Sequence, residues 1–159
     1  MNFRVGNGFD FHPLKPGRRL ILGGVEIPHD SGLDGHSDAD VAAHAIANAV
    51  LGALGLGDLG SHFPDTDARY RDANSIEILT AVWGLATAAR WRLGNADLTI
   101  FAQRPRLSPH IATMRARLAS ALGATPADVN VKAASPEGLG ALGRGDGMAA
   151  AAIVMIVHD

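Results

Sequence analysis

The sequence predicts an α/β (α+β) sandwich in which helices cover one mixed β-sheet. Segments typical of strands alternate with segments typical of helices, and two strands follow in succession at the end, which gives a βαβαββ-like core. The chain has 159 residues, of which 47% are hydrophobic and 19% are charged. This length and composition are typical of one globular domain, so we expect residues 1–159 to form a single domain.

Composition and charge exclude several classes of function. The formal net charge is -2 and the lysine and arginine residues are scattered, so we expect no nucleic-acid partner. The absence of cysteine excludes disulfides, thiolate metal sites and cysteine nucleophiles. Residues 1–5 lack the apolar core of a signal peptide, and the longest apolar run, residues 148–157, is shorter than the roughly 20 residues that span a bilayer. We therefore expect a cytoplasmic protein with no membrane partner.

Two strand-forming segments open the chain. Residues 3–12 predict a first strand that Gly6 and Gly8 interrupt, because glycine weakens a strand interior. Residues 19–27 predict a short hairpin that turns at a pair of glycines. Residues 29–36 are rich in aspartate, serine and glycine, which predicts a loop.

A long helix is predicted next. Ser37 is the expected N-cap, and Asp38 and Asp40 place negative charge in the first turn. Apolar residues recur at helical spacing as far as Leu54, where a glycine-rich segment ends the helix. The polar residues 58–72 then predict a long loop, and loops of this length in compact domains commonly serve function.

The second half predicts two further helices and three strands. Asn74 marks the start of a helix that we expect to run to about Arg92. Ser108 as N-cap and Pro109 at the first helical position predict a third helix, which Gly123 ends. The predicted strands are residues 98–102, 129–133 and 148–157, with a glycine-rich loop over residues 134–147.

Two short segments carry side chains that can bind metal. Residues two apart in a strand point to the same face, so Asp10 and His12 project together. Residues four apart in a helix share a face, which groups Asp40 with His44. If strand and helix meet, two imidazoles and a carboxylate make a three-ligand zinc site with one open position, as in catalytic zinc centres. The alternative is that His44 is an ordinary histidine packed under the sheet.

Two other segments carry residues that could bind phosphate. Backbone N–H groups at a helix N-terminus attract anions, so His36 and Ser37 could hold a phosphate, although an exposed loop histidine is an equally simple interpretation. In the glycine-rich loop, Arg144 offers a positive charge and Glu137 an oxygen ligand for magnesium beside a diphosphate. The loop matches neither a P-loop nor a dinucleotide fingerprint, and the alternative is a flexible connection between two strands.

Seven blocks of the sequence together resemble one known family over essentially the whole chain. They are residues 8–12, 22–28, 36–41 followed by His44, 57–60, 63–67, 129–133 and 143–145. In order and spacing they resemble the 2-C-methyl-D-erythritol 2,4-cyclodiphosphate synthase family of the non-mevalonate isoprenoid pathway. The resemblance implies a homotrimer of α/β sandwiches with active sites between neighbouring subunits.

The resemblance implies roles for individual residues. Glu137 would contact a magnesium ion that bridges two phosphates, and His36 and Ser135 match positions of transition-state stabilisation. The implied zinc ligands are Asp10, His12 and His44. The residues implied to bind the substrate's polyol and ribose portions, or to form a mobile loop over it, are Ser37, Asp58, Leu59, Gly60, Phe63, Pro64, Asp65, Thr66 and Asp67. Those implied near its cytidine diphosphate portion are Ala102, Gln103, Arg104, Pro105, Arg106, Leu107, Ser108, Ala133, Ala134, Pro136, Ala141 and Arg144.

The family reaction is an intramolecular phosphoryl transfer. In 4-diphosphocytidyl-2-C-methyl-D-erythritol 2-phosphate, the 2-phosphate oxygen attacks the β-phosphorus, which expels CMP and closes an eight-membered cyclodiphosphate. Because the substrate carries its own nucleophile, the lack of a nucleophilic triad in this chain is expected. Metals and positioned donors would hold the like-charged phosphates together.

Some residues differ from the family pattern, but no implied metal ligand is among them. Ala141 replaces an aromatic residue, which bears on the apolar cavity that family trimers form along their axis. The other differing residues are Asn7, Asn48, Ala134, Gly138 and Asp146. Two further functions stay open: a zinc-dependent phosphohydrolase, and a non-catalytic trimer that binds isoprenoid diphosphates or nucleotides.

Overall fold

A five-stranded mixed sheet is the centre of the computed structural model, which describes residues 2–158. In chain order the strands are β1 (Phe3–Pro16), β2 (Leu20–Leu22), β3 (Val25–Ile27), β4 (Ser31–Leu33), β5 (Trp91–Phe101), β6 (Val129–Ala134) and β7 (Gly147–His158). The sheet order is β4-β1-β7-β5-β6, and β2 and β3 form a separate hairpin. Only β5 and β6 pair in parallel among these strands, so the sheet is mixed, as predicted.

Three longer helices cover one face of this sheet. The helices are α1 (Val41–Leu54), α2 (Leu59–His62), α3 (Ser75–Ala88), α4 (Ile111–Ala121) and α5 (Gly140–Arg144), with single helical turns at Ala68–Tyr70, Ser108–His110 and Pro126–Asp128. α1 lies across β1 and β7, and α3 and α4 pack beside it over β5 and β6. The core between the layers includes Ile46, Leu79, Leu98 and Met114, each fully buried. The predicted α/β sandwich is confirmed.

The opposite face of the sheet is open and apolar along its β1–β7 half. Phe3, Phe9 and Phe11 alternate along β1 and are each more than half exposed, and Phe11 reaches 65%. Ile153 continues the apolar surface on β7, where it pairs with Asn7. We call this surface the open sheet face.

Gly6 and Gly8 do not interrupt β1, contrary to the prediction. The strand is continuous and paired with β7 through both glycines. A Cβ atom at Gly6 would lie 1.9 Å from the Ala49 backbone oxygen, and one at Gly8 would lie 2.1 Å from the Ala45 backbone oxygen. The glycines therefore allow α1 to lie directly on the strand, which brings the helix within reach of side chains further along β1.

The start of α1 also differs from the prediction. Asp40, not Ser37, is the N-cap, and the helix begins at Val41. The Asp40 carboxylate accepts hydrogen bonds from the Ala42 and Ala43 N–H groups and, across the fold, from the N–H groups of Gly23 and Gly24 in the β2–β3 turn, at 2.9 and 2.7 Å. Burial raises the pKa of Asp40 to about 6, and these four donors favour its ionised form. The sequence did not reveal the hydrogen bonds of Asp40 to the β2–β3 turn, because Gly23 and Gly24 are distant from it along the chain.

The largest error in the predicted elements concerns β5. The prediction extended a helix to about Arg92 and began the strand at Leu98, whereas α3 ends at Ala88 and β5 begins at Trp91. Trp91 and Leu93 are buried at alternate positions, but the pairing register shifts between Leu93 and Asn95. This irregularity breaks the two-residue alternation by which a strand is predicted.

The remaining predictions are confirmed in outline and corrected in detail. The β2–β3 hairpin, β6, β7, the Asn74 N-cap of α3 and the end of α4 before Gly123 agree with the structure. The loops predicted at residues 29–36, 58–72 and 134–147 contain β4, α2 with a helical turn, and α5 respectively. Ser108 is not an N-cap, because it lies within a helical turn that precedes α4.

Candidate metal centre and neighbouring clefts

Three predicted metal ligands meet where β1 lies against α1. Asp10 and His12 project from the same face of β1, and His44 projects from α1 towards them. The Asp10 Oδ2 atom lies 3.1 Å from His12 Nε2 and 3.0 Å from His44 Nδ1. One ligand atom from each residue lies within 4.8 Å of the other two. The convergence predicted for strand and helix is confirmed, and the carboxylate is that of Asp10, since Asp40 caps α1.

A backbone contact orients His12 in this cluster. His12 Nδ1 lies 2.8 Å from the Asp34 backbone oxygen. A carbonyl oxygen can only accept, so Nδ1 carries the proton, and Nε2 is the nitrogen that faces Asp10. The lone pair of the neutral imidazole is thus directed at the centre of the cluster.

The electrostatics of the cluster suit a cation. Burial opposes ionisation of Asp10, but its hydrogen bonds with His12 and His44 together outweigh burial and hold the pKa of Asp10 well below its usual range. Burial likewise lowers the pKa of His12, and the contact with Asp10 more than compensates, so the pKa of His12 is raised overall. A carboxylate and two imidazole nitrogens arranged in this way are a ligand set that zinc accepts, with one coordination position left for another ligand.

The cluster lies in a cleft of about 520 Å³. Among the predicted site residues, the structure brings His36, Ser37, Leu59, Gly60, Phe63, Pro64 and Asp65 into its lining with the three ligands. Asp58, Thr66 and Asp67 do not line the cleft. Asp58 caps α2 by accepting from Ser61, and the Asp67 backbone oxygen lies 2.9 Å from His36 Nε2. The loop over residues 58–67 therefore forms one wall of the cleft.

Asn48, Tyr70 and Ile78 also line this cleft, although they were not among the predicted site residues. Asn48 follows His44 by four residues on α1, so helical spacing could have identified it. Its Oδ1 atom accepts a hydrogen bond from the Leu59 N–H at 2.9 Å, which ties the loop to the helix. Tyr70 and Ile78 carry no such signal, because Tyr70 lies in a turn after the loop and Ile78 lies on α3, elements that share no spacing with the ligands.

A second cleft of about 480 Å³ contains most residues predicted near the cytidine diphosphate portion. Its lining consists of Ala102, Gln103, Arg104, Pro105, Arg106, Leu107, Ser108, Ala133, Ala134 and Ser135. Arg144 lies with Gln103 and Arg104 in an adjoining cleft of about 400 Å³. Pro136 and Ala141 do not line these clefts. The two main clefts share no lining residue, so within one protomer the metal cluster and Ser135 belong to different sites.

The loop beyond Ser135 is exposed. Ser135 Oγ accepts from the Glu137 N–H at 3.0 Å, and the Gly138 N–H donates to Gln103 Oε1 at 3.0 Å. Glu137 has a φ of 52°, and its side chain is open to solvent. Glu137 does not line the cleft of the metal cluster, so the structure does not bring this predicted magnesium ligand to the three zinc ligands in one copy.

A profile described as the YgbB family matches residues 3–157, nearly the whole chain. The chain belongs to the YgbB family. A relative from Halalkalibacterium halodurans, named 2-C-methyl-D-erythritol 2,4-cyclodiphosphate synthase, is 56% identical over 97% of this chain and 98% of its own. The family identified from the sequence blocks is thereby confirmed.

Two solved structures share this fold. The bifunctional IspDF of Campylobacter jejuni superposes with a TM-score of 0.95 at 39% identity, covering 99% of this chain and 43% of that one. The IspF of Plasmodium falciparum, solved as a CDP complex, has a TM-score of 0.88 at 28% identity and covers 99% and 97% of the two chains. Within residues 2–158, no helix combines the length and apolar character needed to cross a membrane.

Proposed function

We propose that this chain is a 2-C-methyl-D-erythritol 2,4-cyclodiphosphate synthase, a phosphorus–oxygen lyase of isoprenoid precursor synthesis. Its substrate would be 4-diphosphocytidyl-2-C-methyl-D-erythritol 2-phosphate. A bond forms between the 2-phosphate oxygen and the β-phosphorus while the bond from that phosphorus to the CMP oxygen breaks. The observation that carries the proposal is the convergence of Asp10, His12 and His44 in a cleft, within a chain that belongs to this family.

The donor atoms of the cluster fit zinc. Asp10 would bind through a carboxylate oxygen, His12 through Nε2 and His44 through Nδ1, because these atoms face one another. Glu137 would contact magnesium through its exposed carboxylate. When bound, these metals supply Lewis-acid polarisation of phosphoryl oxygens and neutralisation of the diphosphate charge.

The remaining residues would orient the substrate and stabilise charge that develops during transfer. His36 is fixed at the cleft wall by its contact with the Asp67 backbone oxygen. Ser135 Oγ accepts from the Glu137 N–H, which leaves its own proton free to be donated to a phosphoryl oxygen. The loop over residues 58–67 would hold the methylerythritol portion in line for attack on the β-phosphorus.

The second cleft would bind the cytidine portion. Loop residues 102–108 and the end of β6 enclose it, and the Gln103 side chain ties it to the loop beyond Ser135. The existence of a CDP complex of the Plasmodium falciparum IspF supports a nucleotide ligand for this fold.

A homotrimer would unite the two clefts. The metal cluster and Ser135 line separate clefts within one protomer, so a complete site requires that one copy supplies the cluster and a neighbour supplies the Ser135 loop. The open sheet face, with Phe3, Phe9 and Phe11 exposed, provides an apolar surface that association of copies would bury.

Phosphorus NMR tests the proposal directly. The purified protein is incubated with 4-diphosphocytidyl-2-C-methyl-D-erythritol 2-phosphate, zinc and magnesium, and the products are followed over time. We expect CMP and a cyclic diphosphate in equal amounts. CMP with a linear bisphosphate would instead identify a phosphohydrolase, and zinc binding without turnover would leave a binding role.

A further inference from the structure

A buried hydrogen-bond chain contacts His44 at Nε2, the ring nitrogen that does not face Asp10. Ser75, the first residue of α3, is 1% exposed, and its Oγ atom lies 2.8 Å from His44 Nε2. The same hydroxyl contacts the Asp38 carboxylate through a short hydrogen bond. Ser37 Oγ also lies near His44 Nε2, at 3.2 Å. Both nitrogens of His44 are therefore engaged, Nδ1 towards Asp10 and Nε2 towards these hydroxyls.

The direction of the chain follows from counting protons. The Asp38 carboxylate accepts from the Ser75 N–H at 3.2 Å and from the Asp40 N–H at 3.2 Å, so it is surrounded by donors. The single hydroxyl proton of Ser75 is accordingly donated to Asp38. The Ser75 oxygen can then only accept from His44, which requires a proton on Nε2. With a proton held on Nε2, Nδ1 is the nitrogen left to bind a cation, and a metal there would replace the proton that Nδ1 donates to Asp10.

We propose that Ser75, held by Asp38, is a positioning residue that fixes His44 in the Nε2–H tautomer and so prepares Nδ1 to bind the metal. The proposal rests on the proposed function only in assigning a metal to the cluster. It gives the acidic residues of the segment before α1 separate tasks: Asp38 supports the metal ligand, whereas Asp40 caps the helix. Residues behind a metal ligand commonly set its orientation and basicity.

Three variants separate positioning from a general effect on folding. Ser75→Ala removes the acceptor, and alanine is a good helix former at this position. Ser75→Thr restores a hydroxyl. Asn74→Ala is the matched control, because Asn74 caps the same helix by accepting from the Ile76 N–H and does not contact His44. Each metal-free protein is titrated with zinc in competition with a chelator, and its thermal unfolding is recorded.

A second readout concerns the Nε2 proton itself. Imidazole nitrogen–proton spectra of the zinc-loaded, ¹⁵N-labelled proteins report whether the His44 Nε2 proton is protected from exchange with solvent by its hydrogen bond to Ser75. The His44 signals are assigned by their loss in a His44→Gln sample. Neither this readout nor zinc affinity requires turnover, so the result stands whichever reaction the enzyme catalyses.

We expect Ser75→Ala to weaken zinc binding by about 10- to 100-fold and to speed exchange of the His44 Nε2 proton with solvent. Ser75→Thr should recover most of the affinity. Asn74→Ala should lower the unfolding temperature and leave both zinc affinity and the exchange of this proton unchanged. Wild-type zinc affinity in Ser75→Ala, or an equal loss of affinity in Asn74→Ala, would overturn the proposal.

Discussion

The metal cluster and the glycine-rich loop of residues 134–147 carry the two halves of the proposed chemistry, yet they are held very differently. His44 is buried with a defined partner for each ring nitrogen, and His12 is fixed by the Asp34 backbone oxygen. Ser135 and Glu137 are exposed, and the loop also exposes Leu139 by 75%. In the proposed homotrimer, a neighbouring copy would cover this apolar side chain.

This difference indicates that one copy organises the metal cluster by itself, whereas association of copies would complete the surroundings of the loop. The cluster is organised by contacts within the protomer, so its metal affinity should survive changes in the loop. The loop is tied to the protomer by the Gly138 N–H bond to Gln103 and by the Leu14 N–H bond to the Asp146 backbone oxygen, but Ser135 and Glu137 remain exposed. In the proposed homotrimer, the working position of these two side chains should therefore depend on the neighbouring subunit.

Loss of a cluster ligand should abolish function. We expect His44→Ala to lower turnover by at least about 10³-fold, because it removes a metal ligand whose role is worth several kcal/mol. Zinc content should fall well below one ion per chain by elemental analysis, while the mass of the assembly by light scattering equals that of the wild type. His110→Ala, a histidine change at the start of α4 outside the main clefts, serves as the control. Retained activity in His44→Ala would disprove the zinc assignment.

Loss of the loop carboxylate should affect turnover but not the cluster. We expect Glu137→Gln to lower turnover by about 10²-fold, because charge stabilisation at the diphosphate is weakened. Its zinc content should equal that of the wild type. Glu26→Gln changes an exposed glutamate paired with Arg19 and should leave turnover unaltered. A loss of zinc in Glu137→Gln would show that loop and cluster are not separate.

The hydrogen bonds of Asp40, the N-cap of α1, should contribute more to the stability of the fold than to the reaction. Asp40→Asn keeps one acceptor oxygen but replaces the other with an NH₂ group. This group cannot accept a hydrogen bond from a backbone N–H, so buried backbone donors lose partners. We expect the free energy of unfolding to fall by about 2 kcal/mol, measured by chemical denaturation. Asp128→Asn, which changes an exposed cap, should cost less. An equal loss of unfolding free energy in the two variants would contradict the role of Asp40 in tying α1 to the β2–β3 turn.

The metal-free cluster should show a pH dependence of known sign. Because the pKa of His12 is raised in the folded state, its stabilising contribution is present below about pH 6.5 and is lost as pH rises through the folded value. Unfolding in a chelating buffer should therefore show a larger difference between wild type and His12→Gln near pH 5.5 than near pH 8. A larger difference near pH 8 than near pH 5.5 would show that Asp10 does not stabilise protonated His12.

Local patterns in the sequence predicted most elements, and the family resemblance specified Asp10, His12 and His44 as the zinc ligands. Residue spacing identified the shared faces of Asp10 with His12 on β1, and the end of α1 and the start of α3 carry recognisable capping residues. The errors arose where distant parts of the chain decide the structure. The roles of Asp40 and Ser75 depend on partners 16 to 37 residues away, and the start of β5 is hidden by a register shift. That the metal cluster and Ser135 line separate clefts of one protomer was visible only in three dimensions.

Mixing two inactive variants tests most directly whether the cluster of one copy works with the loop of another. His44→Ala and Glu137→Gln are unfolded together in equal amounts, refolded and assayed by phosphorus NMR for cyclic diphosphate. If sites form between neighbours, an intact cluster meets an intact loop at about a quarter of the interfaces of randomly assembled closed oligomers. Turnover should then recover to about that fraction of the wild-type rate. If the mixture is no more active than the two variants refolded separately, the site lies within one copy and the account is wrong.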